Sequence, residues 1–105
     1  MKKRDPAKLV AVPVSGIPWF ARKNWAALKA VLADASTLPG TFEAWRSAMA
    51  AVESQMRHEG FIVERVDIDP EAFPRWCKSQ GLITDERARD RFAAETARER
   101  HNQPE

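Results

Sequence analysis

The sequence predicts a mostly helical α+β domain in the order β-α-α-β-α-α, with a small two-stranded sheet packed on a helical hairpin. At 105 residues the chain is long enough for one hydrophobic core but not for two. Two stretches show the alternation typical of strands, and four carry apolar residues at helical spacing. Because a two-stranded sheet is marginal alone, the helical hairpin is expected to supply most of the core.

The first strand is predicted over residues 9–14. Val10, Val12 and Val14 alternate on one face. Pro13 has no backbone N–H to donate, which confines this strand to the edge of the sheet. A turn is expected next, because Gly and Pro follow at once. Its residues are Ser15, Gly16 and Pro18.

The first helix is predicted over residues 20–34, ending before Leu38-Pro39-Gly40. Thr41 is a natural N-cap for the second helix, and Gly60 supplies its stop. Apolar residues of the second helix recur at spacings of three and four, which indicates one narrow stripe packed against another helix. We expect this stripe to be buried against the first helix. Its residues are Phe42, Trp45, Met49, Val52 and Met56.

The second half of the chain adds a strand and two helices. Residues 61–68 alternate, and we expect helices to cover the apolar face while the other face meets water. Asp69-Pro70 is typical of the start of a third helix, which ends at Gly81. Thr84 is expected to cap a fourth helix, whose dense charges of both signs predict a mostly solvated helix or one that docks on a partner. Its apolar anchors are Ala88, Phe92 and Ala93, within residues 85–100.

The predicted domain spans residues 9–100, between a mobile basic tail at 1–8 and a frayed C-terminus at 101–105. The first 30 residues carry seven Lys or Arg against one Asp, although the net charge of the whole chain is only +2. Such a basic front end can bind an anionic partner, and it can equally be an ordinary solubilising terminus. The single cysteine and the lack of a long apolar run predict a cytoplasmic protein with no membrane partner.

No residue set in the sequence predicts an enzyme. Cys77 is the only thiol, and its apolar helix side indicates a small buried side chain rather than a nucleophile. Asp67, Asp69 and Glu71 imitate the start of a calcium loop, but the required Gly and bidentate Glu are missing further on. No cofactor and no metal ion are expected. A composite active site in a homo-oligomer is the one enzymatic alternative left open.

The candidate binding site is an aromatic and basic segment near the start of the first helix. Aromatic rings interleaved with cations can stack on unpaired bases, sit at a membrane surface or anchor a protein interface. They can also form a hydrophobic staple that fixes entry into the helix. The candidate residues are Trp19, Phe20, Arg22, Lys23 and Trp25.

Three short patterns can be compared with known proteins. They are Ile17-Pro18-Trp19-Phe20, Leu38-Pro39-x-Thr41-Phe42-x-x-Trp45 and Val66-Asp67-Ile68-Asp69-Pro70-x-x-Phe73-x-x-Trp76-Cys77. Together they resemble a group of small uncharacterised bacterial proteins, over about residues 17–95. The resemblance implies a bacterial, cytoplasmic origin and implies no functional site.

The sequence therefore predicts a small non-enzymatic interaction module that binds another protein or associates with itself. The alternative is a nucleic-acid-binding accessory protein, which the basic N-terminal segment and the arginine-rich last helix favour. Against this alternative, the arginines of the last helix are interleaved with acidic residues, which is typical of a solvated, salt-laced face.

Overall fold

A computed structural model describes residues 13–101 and has the predicted mostly helical α+β fold and element order. The elements are β1 (Val14–Trp19), α1 (Trp25–Val31), α2 (Phe42–His58), β2 (Ile62–Asp67), α3 (Ala72–Gln80) and α4 (Glu86–His101). Short 3₁₀ turns at Arg22–Asn24 and Ala35–Thr37 flank α1. The predicted basic tail, most of the predicted first strand and residues 102–105 lie outside the described residues. None of the helices in the described part has the length and apolar character needed to cross a membrane.

The first strand begins where it was predicted to end. β1 pairs in parallel with β2, so that Val14 lies opposite Ile62 and Trp19 opposite Asp67. The turn predicted directly after Val14 is therefore wrong, because those residues are extended members of β1. Parallel pairing follows from the long connection through α1 and α2, which returns the chain to the same end of the sheet.

Pro18 is tolerated inside β1 because of the direction in which its backbone points. The carbonyl oxygens of Pro13 and Trp19 accept hydrogen bonds of 2.9 Å from the N–H groups of Ile62 and Ile68. Backbone groups alternate along a strand, so the odd-numbered residues of β1 point toward β2 and the even-numbered ones toward the free edge. The missing N–H of Pro18 thus falls on the free edge, where no bond to β2 is lost.

Helix α4 covers one face of the sheet. The backbone of α4 at Ala93 lies directly over Gly16, whose lack of a side chain permits the approach. Val66, Ala93 and Ala97 form a buried cluster there. The expected anchors Ala88, Phe92 and Ala93 pack against the buried clusters, and most charged residues of α4 are exposed, as predicted.

Helix α2 lies on the opposite face of the sheet, which was expected to meet water. Arg65 of β2 donates two hydrogen bonds of 2.8 Å to the carboxylate of Glu53 on α2. The Arg65 guanidinium also lies 3.8 Å from the ring centroid of Trp19. Glu53 is only 8% exposed, so α2 covers this face partly through a bidentate ion pair, beside the aromatic contact of Trp19 with Trp45.

The main core joins α1, the first half of α2, α3 and the start of α4. Its largest fully buried side chains include Phe20, Leu28 and Phe73. Cys77 is 1% exposed, which confirms its expected burial. Desolvation and the nearby charge of Asp85 raise the pKa of the Cys77 thiol.

The predicted helix caps are mostly confirmed. The Thr41 hydroxyl accepts a hydrogen bond of 3.1 Å from the Ala44 N–H, and Asp69 accepts one of 2.7 Å from the Ala72 N–H. Thr84 was the wrong choice for α4, because Asp85 accepts from the first turn of that helix. Thr84 instead bonds to the backbone at the end of α1.

Candidate functional site

The aromatic part of the predicted binding segment lies within the core. Phe20 is 1% exposed and stacks on Trp45 with ring centroids 4.5 Å apart. Trp19 and Trp25 are half-buried and pack against the same cluster. Phe20 therefore has no surface to offer a partner, and the two tryptophans offer only part of their rings.

The two cations of this segment differ, because Arg22 is ion-paired and Lys23 is exposed on the surface. Arg22 forms an exposed ion pair with Glu43, and its guanidinium lies 4.7 Å from the ring centroid of Phe42. The hydrogen bond from Arg22 lowers the pKa of the Glu43 carboxyl. Lys23 is exposed. The structure thus brings the five candidate residues close together, with Phe20 inside the aromatic cluster, Trp19 and Trp25 at its boundary, and Arg22 and Lys23 on the surface.

Both tryptophans already hold a cation over one ring face. Arg65 lies over Trp19, and the Lys29 ammonium lies 5.6 Å from the ring centroid of Trp25. These covered faces are closed to a stacking base, which needs an open aromatic surface.

A second surface of the protein forms an open groove. A groove of about 420 Å³ runs along the free edge of β1, between the second half of α2 and the first turns of α4. We call it the edge groove. Its wall on α2 consists of Met49, Val52 and Met56, and its floor is β1 from Ser15 to Pro18. Its rim on α4 carries Glu86 and Asp90.

The wall of the edge groove is the second part of the predicted stripe, where Met49 still packs against the core and Val52 is exposed. Trp45 is 5% exposed, as expected, whereas Val52 is 44% exposed. The expectation that the whole stripe packs on the first helix is wrong, because the backbone at Leu32 is extended and ends α1 after seven residues. At 1.5 Å per residue, α1 is about 10 Å long and α2 about 25 Å.

The floor of the edge groove is a strand edge. Within residues 13–101 the sheet has two strands only, so the outer edge of β1 has no strand beside it. The alternation of backbone groups directs the N–H and C=O of Gly16 and the C=O of Pro18 toward this edge. Ile17 lies between Gly16 and Pro18 in the floor, and it is only 5% exposed.

The rim of the edge groove is acidic. Glu86 and Asp90 are four residues apart on α4 and form no ion pair with any group in residues 13–101. Partial burial and then the charge of Glu86 raise the pKa of Asp90. Two like charges at this spacing destabilise a helix slightly, by roughly 0.2–0.5 kcal/mol.

Arg89 also lines the groove, but its guanidinium is paired with Asp34 and not with the acidic rim. Arg89 is 5% exposed and donates hydrogen bonds of 2.8 and 2.9 Å to the two carboxylate oxygens of Asp34. That bidentate pairing lowers the pKa of Asp34, and the Asp34 carboxylate balances the charge of Arg89. Arg89 lies near enough to oppose the raised pKa of Asp90, but it forms its ion pair with Asp34, so Glu86 and Asp90 give the rim an acidic character.

The edge groove presents backbone donors and acceptors, a flexible apolar wall and two carboxylates. These groups can bind an extended polypeptide. Within the described part of the chain, no three His, Cys, Asp or Glu side chains are arranged to hold a metal ion. Comparison of this chain with protein-family models, with curated proteins and with solved structures gave no match.

Sequence reasoning missed the edge groove for an identifiable reason. The periodicity of α2 predicts one helix–helix contact, which wrongly puts Val52 and Met56 in the core. Pro18 was the signal that could have located the groove, because a proline within a strand indicates an edge.

Proposed function

We propose that this chain is a non-enzymatic interaction module that binds a segment of another protein in the edge groove. The observation that carries the proposal is the apolar wall of the groove, in which Val52 is exposed and Met49 and Met56 are half-buried. Methionine side chains are flexible and polarisable, and they are common in surfaces that bind varied partners. An apolar helix face beside a strand edge is a recurrent arrangement for capturing peptides.

The apolar wall is better explained as a contact surface for a partner than as an irregularity of packing. Its three side chains are contiguous along α2, and a polar rim borders them. A recessed apolar surface rimmed by polar groups is typical of protein interaction sites. We place this module in the cytoplasm, where the reduced Cys77 is the ordinary state of a lone thiol.

Nucleic-acid binding remains the second proposal, and the charges of α4 give it little support. Arg89 is paired with Asp34, Arg91 with Glu95 and Arg100 with Glu64. A phosphate backbone would compete with these carboxylates and would meet the acidic rim of the edge groove.

The test compares two substitutions at exposed apolar residues. Val52→Glu places a charge in the wall of the edge groove, whereas Ile83→Glu places one at a 66% exposed residue outside it. Each tagged full-length chain is used to capture partners from its native cell, with and without nuclease treatment. Wild type and Ile83→Glu should recover the same protein, and Val52→Glu should lose it. Equal recovery with Val52→Glu, or recovery that nuclease abolishes, would overturn the proposal.

A further inference from the structure

The edge groove also indicates how a partner segment binds and what its sequence is like. We propose that the segment adds as a third strand along the free edge of β1, with apolar side chains alternating with Lys or Arg. This inference rests on the proposed function and specifies the chemistry of the partner.

Strand addition follows from the backbone groups on the floor. Gly16 directs both its N–H and its C=O outward, and Pro18 adds a second outward carbonyl. Free strand edges recruit extended segments because each main-chain hydrogen bond can form regardless of the partner's side chains. The helices on either side of β1 limit the width of the approach, which favours one extended chain.

The two sides of the groove then select alternate side chains of the added strand. Successive residues of a strand point to opposite faces of the sheet. One set would face the wall on α2, where Val52 and Met56 favour apolar side chains. The other set would face α4, where Glu86 and Asp90 favour cations. The segment is therefore apolar at every second position and basic between.

The charge of the rim distinguishes this occupant from the other candidates. Glu86 and Asp90 repel each other, and a Lys or Arg between them would relieve that repulsion. The β1 strand of a second copy reads Val-Ser-Gly-Ile-Pro-Trp and contains no cation, so it would leave the rim uncompensated. A nucleic acid would add negative charge to an acidic rim.

The first test uses labelled hexapeptides and the full chain. The peptide Lys-Val-Lys-Val-Lys-Val has the proposed pattern, and Lys-Lys-Lys-Val-Val-Val keeps its composition and charge while breaking the alternation. In a fluorescence anisotropy titration, the alternating peptide should bind at least about tenfold more tightly, because only it satisfies both sides of the groove. The double variant Glu86→Gln, Asp90→Asn should weaken the alternating peptide about tenfold and reduce its salt dependence.

The second test follows the amide exchange of β1 by NMR. Saturation with the alternating peptide should slow exchange at the Gly16 N–H, which faces the free edge. The Ile17 N–H faces β2 and serves as the internal control, with no change expected.

Three results would overturn the inference. They are equal binding of the two peptides, unchanged exchange at Gly16, and dimers of the full chain in which Gly16 is protected without peptide. Each of them leaves the proposed function intact if Val52→Glu still loses the captured protein, since the groove would then bind its partner in another way. Loss of the proposed function itself would appear in the capture experiment alone.

Discussion

Gly16 and Ala93 bring β1 and α4 into direct backbone contact. A Cβ built on Gly16 would overlap the carbonyl oxygen of Ala93 and lie 2.8 Å from the Cβ of Ala97. No side chain fits between the sheet and the helix at this point. The contact fixes α4 over β1, and with it the acidic rim of the edge groove.

Gly16→Ala is therefore expected to destabilise the fold by about 1–3 kcal/mol, the usual cost of forcing extra volume into a packed interface. Gly40→Ala is the matched control, because a Cβ there has no neighbour within 4 Å. Urea unfolding measures both variants. If Gly16→Ala matched Gly40→Ala, the close approach of α4 would be ruled out.

The two halves of the α2 stripe should respond differently to truncation. Trp45→Ala removes a buried ring, and we expect it to cost about 3–5 kcal/mol. Val52→Ala removes two methyl groups from a side chain that is 44% exposed, and we expect less than about 0.5 kcal/mol. Equilibrium unfolding compares the two. A cost for Val52→Ala comparable to that of a core residue would show that the wall of the edge groove is closed in solution.

Much of the fold could be predicted from local signals in the sequence. Thr41, Gly60 and Asp69 stop or start their helices for reasons of backbone hydrogen bonding that short segments already contain. The turn predicted at Ser15, Gly16 and Pro18 was wrong because the rules for Gly and Pro favour a turn, whereas Gly16 serves helix packing and Pro18 faces a free edge. Both reasons depend on tertiary neighbours that a local pattern does not contain.

The candidate site was harder to predict for the same kind of reason. Trp19 and Trp25 drew attention as aromatics beside cations, yet their rings complete the core around Trp45. The edge groove depends on a difference in length between α1 and α2, and the end of α1 at Val31 has no strong sequence signal.

The Arg89–Asp34 pair should make stability depend on acid pH. Arg89 lowers the pKa of Asp34 in the folded state, so the pair stabilises the fold fully above the unfolded pKa of about 3.9. That contribution is lost as the pH falls through the lower folded value, because the unfolded chain takes up the proton first. Asp34→Asn should reduce the loss of stability between about pH 5 and pH 2.

Thermal unfolding across this pH range gives the comparison. Asp67→Asn is the control, because Asp67 is exposed and forms no ion pair within residues 13–101. Four other carboxyls with lowered pKa values contribute to acid unfolding as well, so Asp34→Asn should reduce the dependence without removing it. They are Glu43, Glu53, Glu64 and Asp69. An identical pH profile for Asp34→Asn and wild type would contradict the role given to this pair.

Trp19 is expected to act in packing. Its ring contacts Trp45 edge-on at a centroid distance of 5.2 Å and carries Arg65 over one face. Trp19→Ala should therefore lower the melting temperature, while a Val52-dependent protein contact survives in the folded fraction. Titration with single-stranded DNA at physiological salt provides the check. Micromolar DNA binding that Trp19→Ala abolishes in a still-folded chain would favour the nucleic-acid alternative.

Mapping of the captured partner onto the protein by NMR chemical shifts distinguishes the two surfaces most directly. We expect the shifted amides to follow the edge groove, from Gly16 through Val52 to Asp90, and to leave those of Arg22 and Lys23 unchanged. Shifts centred on Arg22 and Lys23, with the edge groove unchanged, would show that the protein binds its partner through the aromatic and basic segment instead.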